Sequence, residues 1–277
     1  MKPAILICAF LLALPAAADD AARDIVRKAL DRDNLDFQRA RDYTYRQQQI
    51  TRETDAKGAV TSTKSRTHEV VILYGRPFSR LVEKDGKPLS DADRRKEQER
   101  EDKEIAARKR EQEDAASKEH RNFEKRRAES RKFVGEILDA FDFRLVGEEA
   151  PAGRPAWIIE GVPRPGYKPR DASSRILTKL RGRLWIDKEA YEWIRIESEV
   201  TGDISIGLVL AKVSKGSWIH AEKRRVNGEV WLPSRVNLAL DGRLAVFKKL
   251  RTTVEITYSD YRKFQADSKV VATQAIP

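Results

Sequence analysis

Polar and apolar residues alternate along residues 182–264, and this pattern constrains the fold more than any other feature of the chain. Ile194 and Ile196, for example, alternate with charged residues. A period of two buries one face of each strand and leaves the other in water, which is typical of antiparallel sheets. Asn227-Gly228 is the strongest hairpin signal, and we expect the following strand to end at Asp241-Gly242. Five or more such strands must curl or pack on helices to bury their apolar face.

Further strands and two apolar helical stripes precede this segment. The strands are predicted in residues 43–51, 67–74, 78–84, 143–149 and 155–162, and a short helix in 172–180. Residues 20–34 predict an amphipathic helix, and a second apolar stripe runs from Phe133 to Phe141. Both stripes are available to cover the sheet. The predicted fold class is therefore α+β: a curved antiparallel sheet, open as a half-barrel and covered by helices.

Residues 91–132 form a contrasting segment in which 28 of 42 residues are charged, 15 basic and 13 acidic. Glycine and proline are absent from it, and Ser90 with Asp93 has the spacing of a helix cap. Opposite charges recur three and four residues apart, which stabilises a helix. We therefore expect a charged helical insertion at 90–132, made of one or two solvated helices that hardly pack. It is either a solvated insertion without a function of its own or an arm or lid for a partner or a membrane surface.

The composition excludes several classes of protein. One cysteine and one methionine leave no disulfide scaffold, cysteine-ligated zinc site or iron–sulfur centre, and three histidines leave little room for another metal site. The sequence shows no nucleophile elbow, metalloprotease motif, phosphate-binding loop or dinucleotide fingerprint. We therefore predict no catalytic residue, no metal and no cofactor, and we do not expect an enzyme.

The first 18 residues have the pattern of a secretory signal peptide. Lys2 precedes an apolar stretch of ten residues from Ile5 to Leu14, and small residues lead to a cleavage site between Ala18 and Asp19. Residues 19–277 would then form a single mature domain, in the periplasm or secreted, without Cys8 and without a transmembrane segment. The net charge is +11 for the whole chain and +10 once Lys2 is removed with the signal peptide. In that compartment this charge would meet an anionic envelope surface rather than nucleic acid, or simply keep the protein soluble.

Two motifs resemble a known family. Gly182–Asp187 (GRLWID) is followed after a turn by Trp193–Glu197, and Val230–Ser234 is followed by Ser259–Phe264. These segments resemble the periplasmic outer-membrane lipoprotein-sorting proteins (LolA/LolB-like), of which this chain would be a divergent member with a charged insertion. The resemblance implies an open half-barrel whose concave face encloses a cavity for acyl chains.

A binding cavity would be lined by the apolar residues of the predicted strands. These candidates are Leu184, Ile186, Ile194, Ile196, Leu208, Leu210, Val236, Leu238, Leu240, Val254 and Ile256. The leading hypothesis is an exported protein that binds a lipid, a lipoprotein or another apolar ligand. One alternative is a structural or interaction protein of the envelope that uses the charged helix to engage a protein or an anionic membrane surface. Another is a hydrolase, although the sequence offers no nucleophile and base. The same residues would be ordinary core if helices filled the space.

Overall fold

A computed structural model describes residues 15–113, 118–171, 174–206, 211–244 and 248–264. Its three α-helices are α1 (Pro15–Ala40), α2 (Asp91–Glu113) and α3 (Lys118–Ala140). Its strands are β1 (Tyr43–Thr54), β2 (Val60–Leu73), β3 (Arg76–Lys84), β4 (Lys87–Pro88), β5 (Phe141–Glu149), β6 (Ala156–Pro163), β7 (Leu180–Asp187), β8 (Trp193–Val200), β9 (Ile204–Ile206), β10 (Ala211–Val213), β11 (Trp218–Val226), β12 (Val230–Leu244) and β13 (Lys248–Lys263). A 3₁₀ helix, Ser174–Lys179, occupies the place of the predicted short helix.

All thirteen strands belong to one antiparallel sheet. Their order across it is β4-β3-β2-β1-β13-β12-β11-β8-β7-β6-β5, and β9 and β10 attach beside β12. The sheet is curved and does not close, because β4 and β5 lie at its two ends. The predicted α+β half-barrel is confirmed, as is the Asn227-Gly228 hairpin, where both residues have positive φ.

The strand pairing shows which residues of β7, β8, β11, β12 and β13 lie on the same face of the sheet. Leu184 lies opposite Ile196, and Ile196 lies opposite Ala221. Ala221 in turn pairs with Val236, which pairs with Ile256. Residues opposite each other in antiparallel strands point to the same side, so these five residues share a face. We call it the inner face, because α1 packs on this side.

Helix α1 covers the inner face over β5 to β8. Ala22, Val26 and Ala29 are buried there in one cluster with Ile159 and Ile186. Their spacing of four and three residues places them on one side of the helix. The last turns of α3 add Ile137 and Leu138 to the same cluster. Both stripes predicted to cover the sheet therefore do so.

Two local expectations about the strands are wrong. A bulge between β7 and β8 leaves Ile194 unpaired, and Ile194 packs with Trp185, which points to the opposite side from Ile186. Ile194 thus leaves the face of Ile196. Strand β12 also runs through Asp241-Gly242 instead of ending there, since Gly242 allows β10 to pass closely: a Cβ at Gly242 would lie 2.0 Å from the carbonyl oxygen of Lys212.

The expectation that the charged helices hardly pack is wrong for α2, which lies along the edge of β3. The Leu81 amide donates to Glu97 at 2.8 Å, and Arg100 donates to the Ser79 carbonyl. Arg108 donates to the carbonyls of Leu73, Arg76 and Pro77. An open strand edge needs such partners. The charged side chains of α2 therefore take the place of a neighbouring strand.

Some predictions fall outside the described residues. Leu208 and Leu210 lie there, as does most of the predicted signal peptide. The signal peptide, its cleavage site and the single domain at 19–277 remain predictions. Among the helices of the described chain, none is both long enough and apolar enough to cross a bilayer.

Candidate functional site

The inner face of β12 and β13 carries apolar side chains that are only partly buried. We call this set the inner wall: Val236, Leu238, Leu240, Val254, Ile256 and Tyr258. All six are half-buried, and within the described part of the chain none belongs to the three buried clusters or packs against them. The wall continues the face that α1 covers elsewhere. A contiguous apolar surface that is not fully buried is a candidate ligand-binding surface.

A cavity of about 320 Å³ opens where α1 ends. Three tyrosines, Tyr43, Tyr45 and Tyr261, line it together with Ile72 and Leu232. Its volume lies at the lower end of the range for small-molecule pockets, and its lining of aromatic and aliphatic side chains is typical of them.

Tyr45 connects this cavity to the inner wall. Its ring centroid lies 5.9 Å from that of Tyr258 on the wall and 5.3 Å from that of Tyr261 in the cavity. Tyr261 donates its hydroxyl proton to the Pro233 carbonyl at 2.6 Å, so its polar end is satisfied and its ring is left as apolar surface. Wall and cavity together form one apolar track.

The end of α1 is fixed beside the cavity by two aspartates. Asp33 accepts a hydrogen bond from the Trp193 indole at 2.7 Å and another from Lys223. Asp36 is buried and accepts the Trp231 backbone N–H at 2.9 Å. The two aspartates are three residues apart and so lie on one side of the helix. They attach α1 to both β8 and β12 and set the border of the partly buried region.

Glu192 is the least satisfied charged group of this border. Its side chain is buried, its oxygens have no hydrogen-bond partner among the described residues, and the Lys223 ammonium lies 3.5 Å away. Burial raises the pKa of Glu192 to about 7; Lys223 opposes this shift, and Asp36 and Asp33 add to it. Lys223 thus lies between Glu192 and Asp33 of α1.

The outer face has a different chemistry. A depression of about 510 Å³ there is lined by charged residues that pair with one another, including Arg181 with Glu199 at 2.9 Å. Trp218 and His220 stack beside it with ring centroids 4.3 Å apart. Such exposed ion pairs form a solvated ladder, so this depression offers little apolar surface to a ligand.

The structure separates the predicted cavity residues into groups. Leu184 and Ile186 lie under α1 in the filled core, and Ile194 is in the cluster around Trp185. Ile196 lies on the inner face between the covered and the open regions. The remaining described candidates lie on the inner wall: Val236, Leu238, Leu240, Val254 and Ile256.

Sequence reasoning offered Tyr43 and Tyr45 among the aromatics that could line a cavity, but it missed Tyr261 and the two aspartates of α1. Ala22, Val26 and Ala29 continue in heptad-like spacing to Asp33 and Asp36, so the buried side of α1 changes from apolar to acidic. This spacing was a visible signal. Across the described residues, no group of three or more histidine, cysteine, aspartate or glutamate side chains is placed to hold a metal ion.

Comparisons with known proteins give structural matches only. No protein-family model matches the chain, and no curated protein matches it. A DUF1329 family protein from Desulfovibrio piger aligns over 91% of this chain and 95% of its own, at 13% identity and a TM-score of 0.35. A putative outer membrane lipoprotein-sorting protein domain from Vibrio parahaemolyticus aligns over 88% and 95%, at 12% identity and a TM-score of 0.35.

A LolA superfamily protein from Nitrosomonas europaea also aligns with the chain. It covers 88% of this chain and 93% of its own, at 12% identity and a TM-score of 0.30.

Proposed function

We propose that this protein is an exported, non-catalytic envelope protein that binds the acyl chain of a lipid or lipoprotein along the inner wall and in the tyrosine-lined cavity. One observation carries the proposal: the inner face is filled by α1 over β5 to β8, whereas its apolar side chains over β12 and β13 are only partly buried and lie outside the three buried clusters. An acyl chain on this track would gain roughly 0.8 kcal/mol for each buried CH₂ group.

The alternative of an interaction protein that acts through its charged helix is not favoured by a specific contact. The buried charges of α2, Glu101 and Arg108, bind Arg80 and the carbonyls at the edge of β3. These two side chains therefore bind the protein's own sheet and do not face a partner.

The binding test uses the chain from residue 19 onward and the fluorescent fatty acid cis-parinaric acid. Ile256→Glu places a charge on the inner wall, so we expect at least a tenfold loss of affinity. Thr257→Glu is the matched control. Thr257 is the next residue and points to the outer face opposite Arg235, which can pair with the new carboxylate. This control should bind as the unchanged protein does.

Two results would contradict the proposal. The unchanged protein would take up no fatty acid, or the Ile256→Glu variant would bind as tightly as the control. Circular dichroism verifies that both variants fold, and Ile256→Ser offers a milder polar change at the same position.

A further inference from the structure

A second cavity of the inner face lies where β2, β3 and the start of α2 meet. Its volume is about 380 Å³. Arg66 and His68 of β2 line it, with Lys84 of β3 and Glu97 and Arg100 of α2. The proposed acyl-binding role uses none of these residues.

The charges of this cavity leave two cations unpaired. Glu97 is engaged by Arg100 and by the Leu81 amide. Arg66 and Lys84 have neither an ion pair nor a side-chain hydrogen bond within the described chain. Asp93 of the first turn of α2 also lines the cavity, so cations outnumber carboxylates there by three to two. The two unpaired charges of the cavity, Arg66 on β2 and Lys84 on β3, are therefore both positive.

His68 adds an imidazole without a hydrogen-bond partner. Its Nδ1 atom is buried and unpartnered among the described residues. Burial lowers the pKa of His68; Arg66 and Arg100 lower it further, and Glu97 opposes them. A buried polar atom without a partner costs free energy. An anion bound beside the ring would favour its protonated form and so raise its pKa.

The cavity lies beside the acyl track. His68 is opposite Gln47 on β1, and Gln47 is opposite Tyr258 of the inner wall. Two strand spacings separate His68 from Tyr258, which is roughly 10 Å. An amphiphile with its apolar chain on the wall can therefore place its polar end between Arg66 and Lys84.

We propose that the Arg66–His68–Lys84 cavity binds the anionic headgroup, a phosphate or a carboxylate, of an amphiphile whose acyl chain lies on the inner wall. This inference rests on the proposed function and specifies its ligand as an anionic amphiphile. Guanidinium and ammonium groups bind such anions by charge-assisted hydrogen bonds, and the neighbouring imidazole adds positive charge when it is protonated.

The test compares two lipids that differ in one group, dodecanoyl glycerol phosphate and uncharged dodecanoyl glycerol. The Arg66→Gln/Lys84→Gln variant should lose about tenfold in affinity for the phosphate lipid and less than twofold for the uncharged one. The matched control is Lys57→Gln/Arg235→Gln, which removes the same two charges from a turn and from the outer face. It should bind both lipids as the unchanged protein does.

A second measurement follows the imidazole directly. The chain has three histidines, so ¹⁵N-histidine NMR can resolve His68 while inorganic phosphate or the phosphate lipid is added. We expect the pKa of His68 to rise with either anion.

The outcomes separate this inference from the proposed function. Equal losses for both lipids in the double variant, with an unshifted His68, would overturn the headgroup site and leave the acyl track standing. A His68 shift with inorganic phosphate, in a protein that takes up neither lipid, would refute the acyl-binding function and support a cavity for a free anion.

Discussion

The two halves of the inner face have the same alternation of apolar and polar residues but differ in how deeply their apolar side chains are buried. Over β5 to β8, Ile159 and Ile186 are fully buried under α1. Over β12 and β13, Val236 and Ile256 stay half-buried on the inner wall. Period-two alternation determines which face a residue joins, whereas the reach of a helix determines whether that face becomes core. Here the inward positions of α1 change from Ala22, Val26 and Ala29 to Asp33 and Asp36.

The largest expected effect tests this difference in packing. Ile186→Ala should lower the free energy of unfolding by about 2–5 kcal/mol, because it leaves a cavity under α1. Ile256→Ala on the inner wall should cost less than about 1.5 kcal/mol, because its side chain is already partly in solvent. Urea unfolding of the two variants measures both values. Equal losses would mean that both halves are filled cores.

A smaller effect concerns the border between the halves. The pKa of Glu192 is raised to about 7 from its usual 4.5. Between these pH values the folded protein binds more protons at this group than the unfolded chain, so its contribution to stability falls as pH rises. Glu192→Gln should raise the free energy of unfolding at pH 8 by on the order of 2 kcal/mol.

The control for Glu192 is the same comparison at acidic pH. At pH 4.5 the carboxyl group is already protonated in the folded state, so variant and unchanged protein should unfold alike. Lys223 keeps its hydrogen bond to Asp33 in both. A gain of equal size at both pH values would refute the titration of Glu192 as its cause.

The edge of the open half provides the third test. Arg108→Gln should lower the free energy of unfolding by about 1–2 kcal/mol, because the carbonyls of Leu73, Arg76 and Pro77 lose their donor. Lys109→Gln, at the exposed neighbouring position, serves as the control and should change little. Thermal unfolding distinguishes the two. If Arg108→Gln were as mild as Lys109→Gln, the helix would not cap this edge.

The smallest effect is expected on the outer face. Arg181→Ala removes an exposed ion pair with Glu199, and exposed pairs contribute little. Its cost should stay within about 0.5 kcal/mol in urea unfolding and shrink further at high salt. A loss above about 1 kcal/mol would show that the outer ladder supports the fold.

Much of this fold could be predicted from the sequence because its signals are local. Alternation predicted the sheet, Asn227-Gly228 predicted the β11–β12 hairpin, and the stripe of α1 predicted a cover. The bulge at Ile194 could not be predicted from the sequence, since it depends on the pairing of β8 with β7. The continuation of β12 through Gly242 likewise depends on the approach of β10.

The candidate site was less predictable than the fold. The inner-wall residues other than Tyr258 were among the predicted cavity residues, but the sequence could not separate them from Leu184 and Ile186, because that division depends on how far α1 covers the sheet. Nor could charge alone show that Glu97 and Arg108 bind backbone groups of a strand edge.

The central claim is that the open half of the inner face binds an acyl chain and the covered half does not. Isoleucine-methyl NMR during a titration with a spin-labelled stearic acid tests it directly. Signals of Ile72 and Ile256 should broaden at low ligand ratios, while those of Ile159 and Ile186 stay sharp. Equal broadening of all four, or none in Ile72 and Ile256, would contradict the account.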